Sequence, residues 1–384
     1  MIKKSLLSLA LGTFAIGMTE FTMMGILPDI AKDLNIDIPS AGHLISLYAL
    51  GVVIGSPILV LFTAKYSPRK VLIFLMLLFA VFNALFAVSP IYSLLLVSRF
   101  MAGLPHGAFF GVGSVVAAKF ADPGKKAQAI AIMVTGMTIA NLIGVPLGTY
   151  IGHHFSWRYT YLIISLFGLL SMLSIYFWIP KMQPLSQVSK KSQLAYFKTK
   201  KAWVIIGMVS IGTGGLFAWL SYIAPLMTEI TKINEDGIPF VMVLVGLGMI
   251  IGNLLGGKLA DIITPQKTVT VSFIFMMLCL IIIYFTAHIP FMSYLMAFVT
   301  GVAAFSCSSP IQMLLIDSAE GSESIAAAGG QSSFNLGNTM GAFFGGLPIT
   351  YGYAYNSPLL IGVGMVAIGI CFSYYYLVLL KKSN

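Results

Sequence analysis

The 384-residue chain is predicted to be an all-α polytopic membrane protein, with twelve transmembrane helices in two six-helix pseudo-repeats. Three observations predict this. Hydrophobic residues make up 58% of the chain and charged ones 9%, against about 25% charged in a typical soluble domain. Apolar runs follow one another along the chain, each near the roughly 20 residues that cross a bilayer. A polar, lysine-rich stretch at 180–201 divides them at the middle, and glycine patterns recur on either side of it at one offset.

The spans, in order, are expected at 5–27, 42–64, 71–88, 91–118, 127–152, 157–179, 202–226, 239–262, 268–287, 290–314, 325–350 and 357–380. The first follows Lys3 and Lys4, as a signal peptide would, but it is too long for such a core, holds Glu20 and lacks a small-residue cleavage site. Lys65, Arg69 and Lys70 separate spans 2 and 3, and Lys119, Lys125 and Lys126 separate spans 4 and 5. Lys258 and Lys267 bracket the turn after span 8, and Lys381 and Lys382 follow span 12. With the linker, these inner segments carry 18 of the 22 Lys and Arg residues, so the positive-inside bias places both termini in the cytoplasm. Residues 1–179 form one six-helix bundle, 180–201 the linker and 202–384 the second bundle.

The repeat is visible in two places. Asn141-x-x-Gly144-x-x-x-Gly148 in span 5 matches Asn338-x-x-Gly341-x-x-x-Gly345 in span 11, and Leu50-Gly51-x-x-x-Gly55 in span 2 matches Leu247-Gly248-x-x-x-Gly252 in span 8, both offset by 197 residues. Small residues spaced by four let another helix approach closely. The stripes on spans 5 and 11 are read either as static packing or as surfaces on which the halves slide. Pro146 removes a backbone donor inside span 5 and favours a kink.

Glu20 is the one carboxylate expected inside the hydrocarbon. A lone acid there is costly and normally faces a polar cavity with a task. Arg99 in span 4 lies at a matching depth, which suggests an ion pair or a shared cavity. His106 is either a packing histidine or a ligand for a proton or substrate. The charges form no single basic face, so the net charge of +10 does not indicate nucleic-acid binding. Cys279, Cys307 and Cys371 make no metal or disulfide framework. An intramembrane enzyme would need a nucleophile and base at membrane depth, for which His106 and Ser306 qualify by residue type alone.

These strings resemble the major facilitator superfamily, in its drug:proton antiporter group. Gly257-Lys258-Leu259-Ala260-Asp261 is similar to the family's loop motif, Arg99 with Gly103 to its span-4 motif, and Gly144-x-Pro146 through Gly152 to its span-5 antiporter motif. Glu20-Phe21 with Gly25, the run Gly103-Leu104-Pro105-His106-Gly107 through Gly113, and Ala328-Gly329-Gly330-Gln331 most resemble the AraJ-like sugar (arabinose) efflux permeases. The resemblance implies the family's fold, with spans 1, 4, 7 and 10 lining a cavity, span 5 meeting span 8 and span 2 meeting span 11. It implies a proton-coupled exporter of sugars or drug-like molecules, driven by the proton gradient without a cofactor, monomeric in a bacterial inner membrane. A proton-coupled uptake symporter is the alternative. Glu20 would carry the proton and Arg99 would tune it. His106, Trp219, Tyr222 and Gln312 would meet substrate. Lys65, Asp261, Gly144, Pro146, Gly148, Gly341 and Gly345 would serve gating. Lys65 stands where the family carries Asp, and Leu61 where it carries Gly. The acids Asp317, Glu320 and Glu323 between spans 10 and 11 would let a latch to Lys65 survive with its charges rearranged.

Overall fold

A computed structural model describes residues 3–63, 65–122, 126–184, 196–318 and 323–381. Among these residues the helices trace twelve rods, close to the expected spans. Span 1 is Lys4–Gly25, span 2 Ile38–Thr63, span 3 Pro68–Val88, span 4 Tyr92–Lys119 and span 6 Trp157–Trp178. Span 7 begins as Lys200–Leu220, span 8 is Ile238–Ile263, span 9 Pro265–Thr286, span 11 Glu323–Thr350 and span 12 Pro358–Lys381. The described ends of the chain, Lys3 and Lys381, and the described residues at either end of the linker fall on one side, here called the linker side; the opposite side is the far side.

Three rods are interrupted. Span 5 runs as Lys126–Ile139, widens to a π-turn at Ala140–Gly144, resumes over Val145–Ile151 and widens again at Gly152–Ser156. Pro146 sits just past the first π-turn, where the missing N–H and the ring are accommodated by the wider winding. Span 7 breaks at Ser221 and Tyr222 before a short turn at Ile223–Pro225. Span 10 breaks between Pro290–Phe305 and Ser308–Asp317.

The far side also carries a helix that hydropathy alone does not reveal, Leu27–Leu34. Pro28 suits its first turn, and Asn35, at φ 50°, ends it in the left-handed region. Leu27, Ile30 and Ala31 are buried, while Asp29 bonds His153 and Asp33 bonds Trp157 and Arg158. Just beyond, Asp37 caps span 2 by accepting the Ser40 N–H at 2.9 Å. Hydrogen bonding to Ser40 holds the Asp37 carboxyl below its ordinary value of 3.8. A carboxyl held low stabilises the fold fully above that value and ceases to do so as pH falls through its folded value. Asp37→Ala should therefore cost about 0.5–1 kcal/mol near neutral pH and less as pH falls through the carboxyl's folded value, as unfolding curves across the acid range would show.

Each half is tied by close helix crossings, and the second half repeats the first. Gly51 and Gly55 of span 2 lie against the span 4 backbone at Phe100 and Leu104, as Gly248 and Gly252 of span 8 lie against span 10 at Phe298 and Val302. The stripes on spans 5 and 11 obey the same logic, which favours the packing reading. Gly144 faces Phe14 and Met18 of span 1, and Gly148 faces Thr22 and Thr160. Gly341 lies against Gly214 and Ala218 of span 7, and Gly345 against Ala218 and Tyr222. The close approach is needed where these rods cross inside their own bundle. Gly148→Leu should accordingly cost about 1–3 kcal/mol by overpacking while two-sided cysteine accessibility stays as in the parent. Altered accessibility at parental stability would restore the sliding surface.

The halves meet through span 2 with span 11 and span 5 with span 8, the pairs that the resemblance implies. Thr339 donates to the Ser46 carbonyl and Ser332 to that of Val53, each at 3.3 Å. Span 8 packs chiefly on residues 140–151 of span 5, with Gly246 against the Asn141 backbone and the Asn141 amide 3.9 Å from Met249 Sδ. At the far rim His154 Nε2 lies 3.3 Å from Asp236. These contacts run from the far rim to mid-depth. On the linker side Lys65 is exposed with Nζ 5.2 Å from the Tyr66 ring centre, and Asp261 and Asp317 are exposed. Glu320 lies outside the described residues, as does the side chain of Glu323, so of the three acids expected to latch Lys65 only Asp317 is described.

Candidate functional site

Span 1 delivers Thr19 and Glu20 to the interior of the first half, five residues before the rod ends at Gly25. Span 4 delivers Arg99 seven residues past its start at Tyr92. At 1.5 Å per residue both lie roughly 8–10 Å below the far-side ends of their helices. Each is 1% exposed.

They are neighbours without being a contact pair. Arg99 donates from Nε to the Leu44 carbonyl at 3.2 Å, from Nη1 to Thr19 Oγ1 at 3.0 Å and from Nη2 to the Thr19 carbonyl at 3.4 Å. Its guanidinium lies over Tyr48 at 4.3 Å, with Tyr161 at 5.5 Å and Phe86 at 5.6 Å completing an aromatic cage. Rings attract a desolvated guanidinium through their negative faces, and the planar fork matches three acceptors at once. Thr19 passes the bond on to Asn83 Oδ1 at 2.7 Å. Arg99 thus joins spans 1, 2, 3, 4 and 6 around one charge.

Glu20 is left unbonded in the same interior. Neither carboxylate oxygen has a hydrogen-bond partner, although Arg99 acts on it through space. Beside it stands Asn338 of span 11, from the other half, whose amide nitrogen and oxygen are likewise unbonded. Buried polar groups are nearly always hydrogen-bonded, so two neighbouring groups without a bond single this place out.

His106, fully buried, hydrogen-bonds Tyr48 through Nδ1 at 3.1 Å, while Nε2 has no partner. Tyr48 therefore touches both the Arg99 guanidinium and His106. The remaining expected substrate residues are not brought to this cluster. Trp219 is buried near the far end of span 7's first helix, its Nε1 unbonded. Tyr222 sits at the break in that span, where its hydroxyl donates to the Ala342 carbonyl at 2.7 Å and lies against Gly42 of the first half. That places Tyr222 in the far-side seal. Gln312 is half-buried near the linker-side end of span 10.

Sequence reasoning missed Tyr48, Thr19 and Asn338. Tyr48 and Thr19 carry no signal inside long apolar runs. Asn338 did carry one, since it heads the repeated pattern that begins at Asn141, but the glycines of that pattern drew the attention.

The Major Facilitator Superfamily profile matches residues 9–330 and 209–383. "Putative transporter AraJ" of Escherichia coli (strain K12) is 44% identical over 355 residues, spanning 92% of this chain and 90% of that one. "Probable sugar efflux transporter" of Helicobacter acinonychis (strain Sheeba) is 28% identical, spanning 88% and 87%. Among solved structures, a bacterial homologue of the human lysosomal transporter Spinster superposes with a TM-score of 0.73 over 97% of this chain and 96% of that one. At 13% identity that likeness concerns the fold.

Proposed function

The chain belongs to the major facilitator superfamily, and from that premise we propose that it is a proton-coupled exporter of sugars or related small molecules, with Glu20 as the coupling carboxyl. The observation that carries the reading is the unbonded, fully enclosed Glu20, poised between the charge of Arg99 and the amide of Asn338 in the opposite half. An orphan anion in such a place costs several kcal/mol unless it takes up a proton. The halves can separate at Asn338, and the protein then offers Glu20 to water from one side at a time.

The lysine bias assigns the linker side to the cytoplasm and the far side to the exterior. On that assignment the far-side contacts are those expected of a state closed towards the exterior, in a protein of the bacterial inner membrane. Glu20 takes a proton from outside, the far side seals through Tyr222 and the rim contacts, and the proton leaves to the cytoplasm. Arg99, held in its cage in either state, favours that release because the charged carboxylate gains its attraction. Sugar as substrate rests on the name of the Helicobacter relative.

The test is transport in proteoliposomes under an imposed pH gradient, with sugars chosen by a ligand-stabilisation screen. Sugar movement opposite to the proton gradient supports export. Movement in the same direction makes the protein a symporter, and movement indifferent to the gradient removes proton coupling.

A further inference from the structure

We propose that the far-side rim holds a divalent-metal site of the zinc type, completed only when the two halves close on that side. One nitrogen of His153, one carboxylate oxygen of Asp29 and one of Glu235 lie within 4.8 Å of one another. Imidazole and carboxylate are the donors that suit Zn²⁺, which accepts three protein ligands and leaves its fourth position to water.

The site is built before the third ligand arrives. The His153 side chain is 5% exposed and that of Asp29 19% exposed, with His153 Nδ1 2.9 Å from Asp29 Oδ1. His153 Nε2 is buried with no hydrogen-bond partner, so the ring retains an unspent donor or acceptor inside the rim. The helix Leu27–Leu34 that presents Asp29 is itself fastened by Asp33 to Trp157 and Arg158. Asp29 and His153 are therefore fixed to each other within the first half. Glu235 comes from the second half, on the turn before span 8, which Asn234 caps by accepting the Asp236 N–H at 3.1 Å. The adjoining contact of His154 with Asp236, 3.3 Å across the same seam, shows that this rim is where the halves touch. The surroundings favour a cation, since six of the twelve Asp and Glu residues lie on the far side against three Lys and Arg.

A ligand shifts a two-state equilibrium by its difference in affinity for the two states. Opening the far side removes one of three protein ligands, so Zn²⁺ binds the closed-rim state more tightly and holds the protein there. External zinc then acts as a brake on turnover. This consequence rests on the alternating-access reading; the metal site itself does not.

The experiment uses the full chain, purified in detergent and stripped of metal. Zinc chloride is added while thermal unfolding and zinc binding are followed, with magnesium chloride as control. Spin labels on the far-side ends of spans 5 and 8 report the rim distance. The expected result is stabilisation by Zn²⁺ and not by Mg²⁺, with the label distances moved to the short population. Glu235→Gln, at an exposed position, should weaken Zn²⁺ binding by at least about tenfold, a loss that even changes to groups behind the ligands bring to metal sites. His153→Asn, which can keep the hydrogen bond to Asp29, should do the same. Zinc binding in Glu235→Gln as tight as in the parent overturns the proposal, because the ion would then be held by one half or elsewhere. If both variants lose zinc while the metal-free protein shows a single rim distance that zinc does not change, the metal site stands and the alternating-access reading fails.

Discussion

Glu20→Gln is expected to abolish sugar transport driven by a pH gradient while leaving the fold, sugar binding and downhill sugar exchange intact. Glutamine has the shape of the protonated acid and cannot release a proton, so it fixes the state in which the carboxyl is neutral. The site tolerates this substitution because Glu20 makes no hydrogen bond that glutamine would lose. Arg99 keeps its own hydrogen bonds to Leu44 and Thr19 in the variant and loses only a through-space attraction. Thermal unfolding should therefore match the parent. Gradient-driven transport should fall to the level of protein-free vesicles. A variant that keeps gradient-driven transport removes Glu20 from the coupling step.

Arg99→Lys is expected to destabilise the protein by about 3 kcal/mol, although both residues are cations of similar length. The lysine ammonium cannot reach two groups on Thr19 and the Leu44 carbonyl together, and it stacks poorly on Tyr48. A hydrogen bond to a charged group contributes about 1.5–3 kcal/mol, and a buried charge left partly unbonded costs several more. Against a typical stability of about 5–15 kcal/mol this is a large fraction. Lower unfolding temperature and lower yield would show it. The fraction that folds should still couple through Glu20, because the cation stays in the neighbourhood. Parental stability would mean that the cage does not hold the five rods together.

Much of this architecture is legible in the chain because lipid imposes a simple rule. Rods must be long, apolar and internally hydrogen-bonded, so most spans announce themselves by hydropathy and lysines mark most inner turns, while the glycine-rich span 11 is legible only through the repeat. Glu20 and Arg99 stand out for the same reason, as the charges that violate the rule. What stays hidden is set by packing geometry. The breaks at Ser221–Tyr222 and Ser306–Cys307 leave composition unchanged, and the helix Leu27–Leu34 is too short and too polar for a hydropathy signal. The stripe through Gly144 and Gly148 shows that a helix comes close, but not which one. Spans 1 and 8 both pack on span 5, and the glycines face span 1. The Arg99 cage depends on Tyr48, Phe86 and Tyr161 converging from three rods, which no linear spacing encodes.

The most direct test of Glu20 as the coupling group measures protons and leaves transport aside. Purified protein in weakly buffered detergent, with a pH-indicating dye, is mixed with a saturating concentration of the sugar found by the stabilisation screen. The account predicts release of about one proton per chain in the parent, because sugar and proton compete for one cycle, and none from Glu20→Gln. Release from the variant equal to that from the parent, or no release from a parent that binds the sugar, would contradict it.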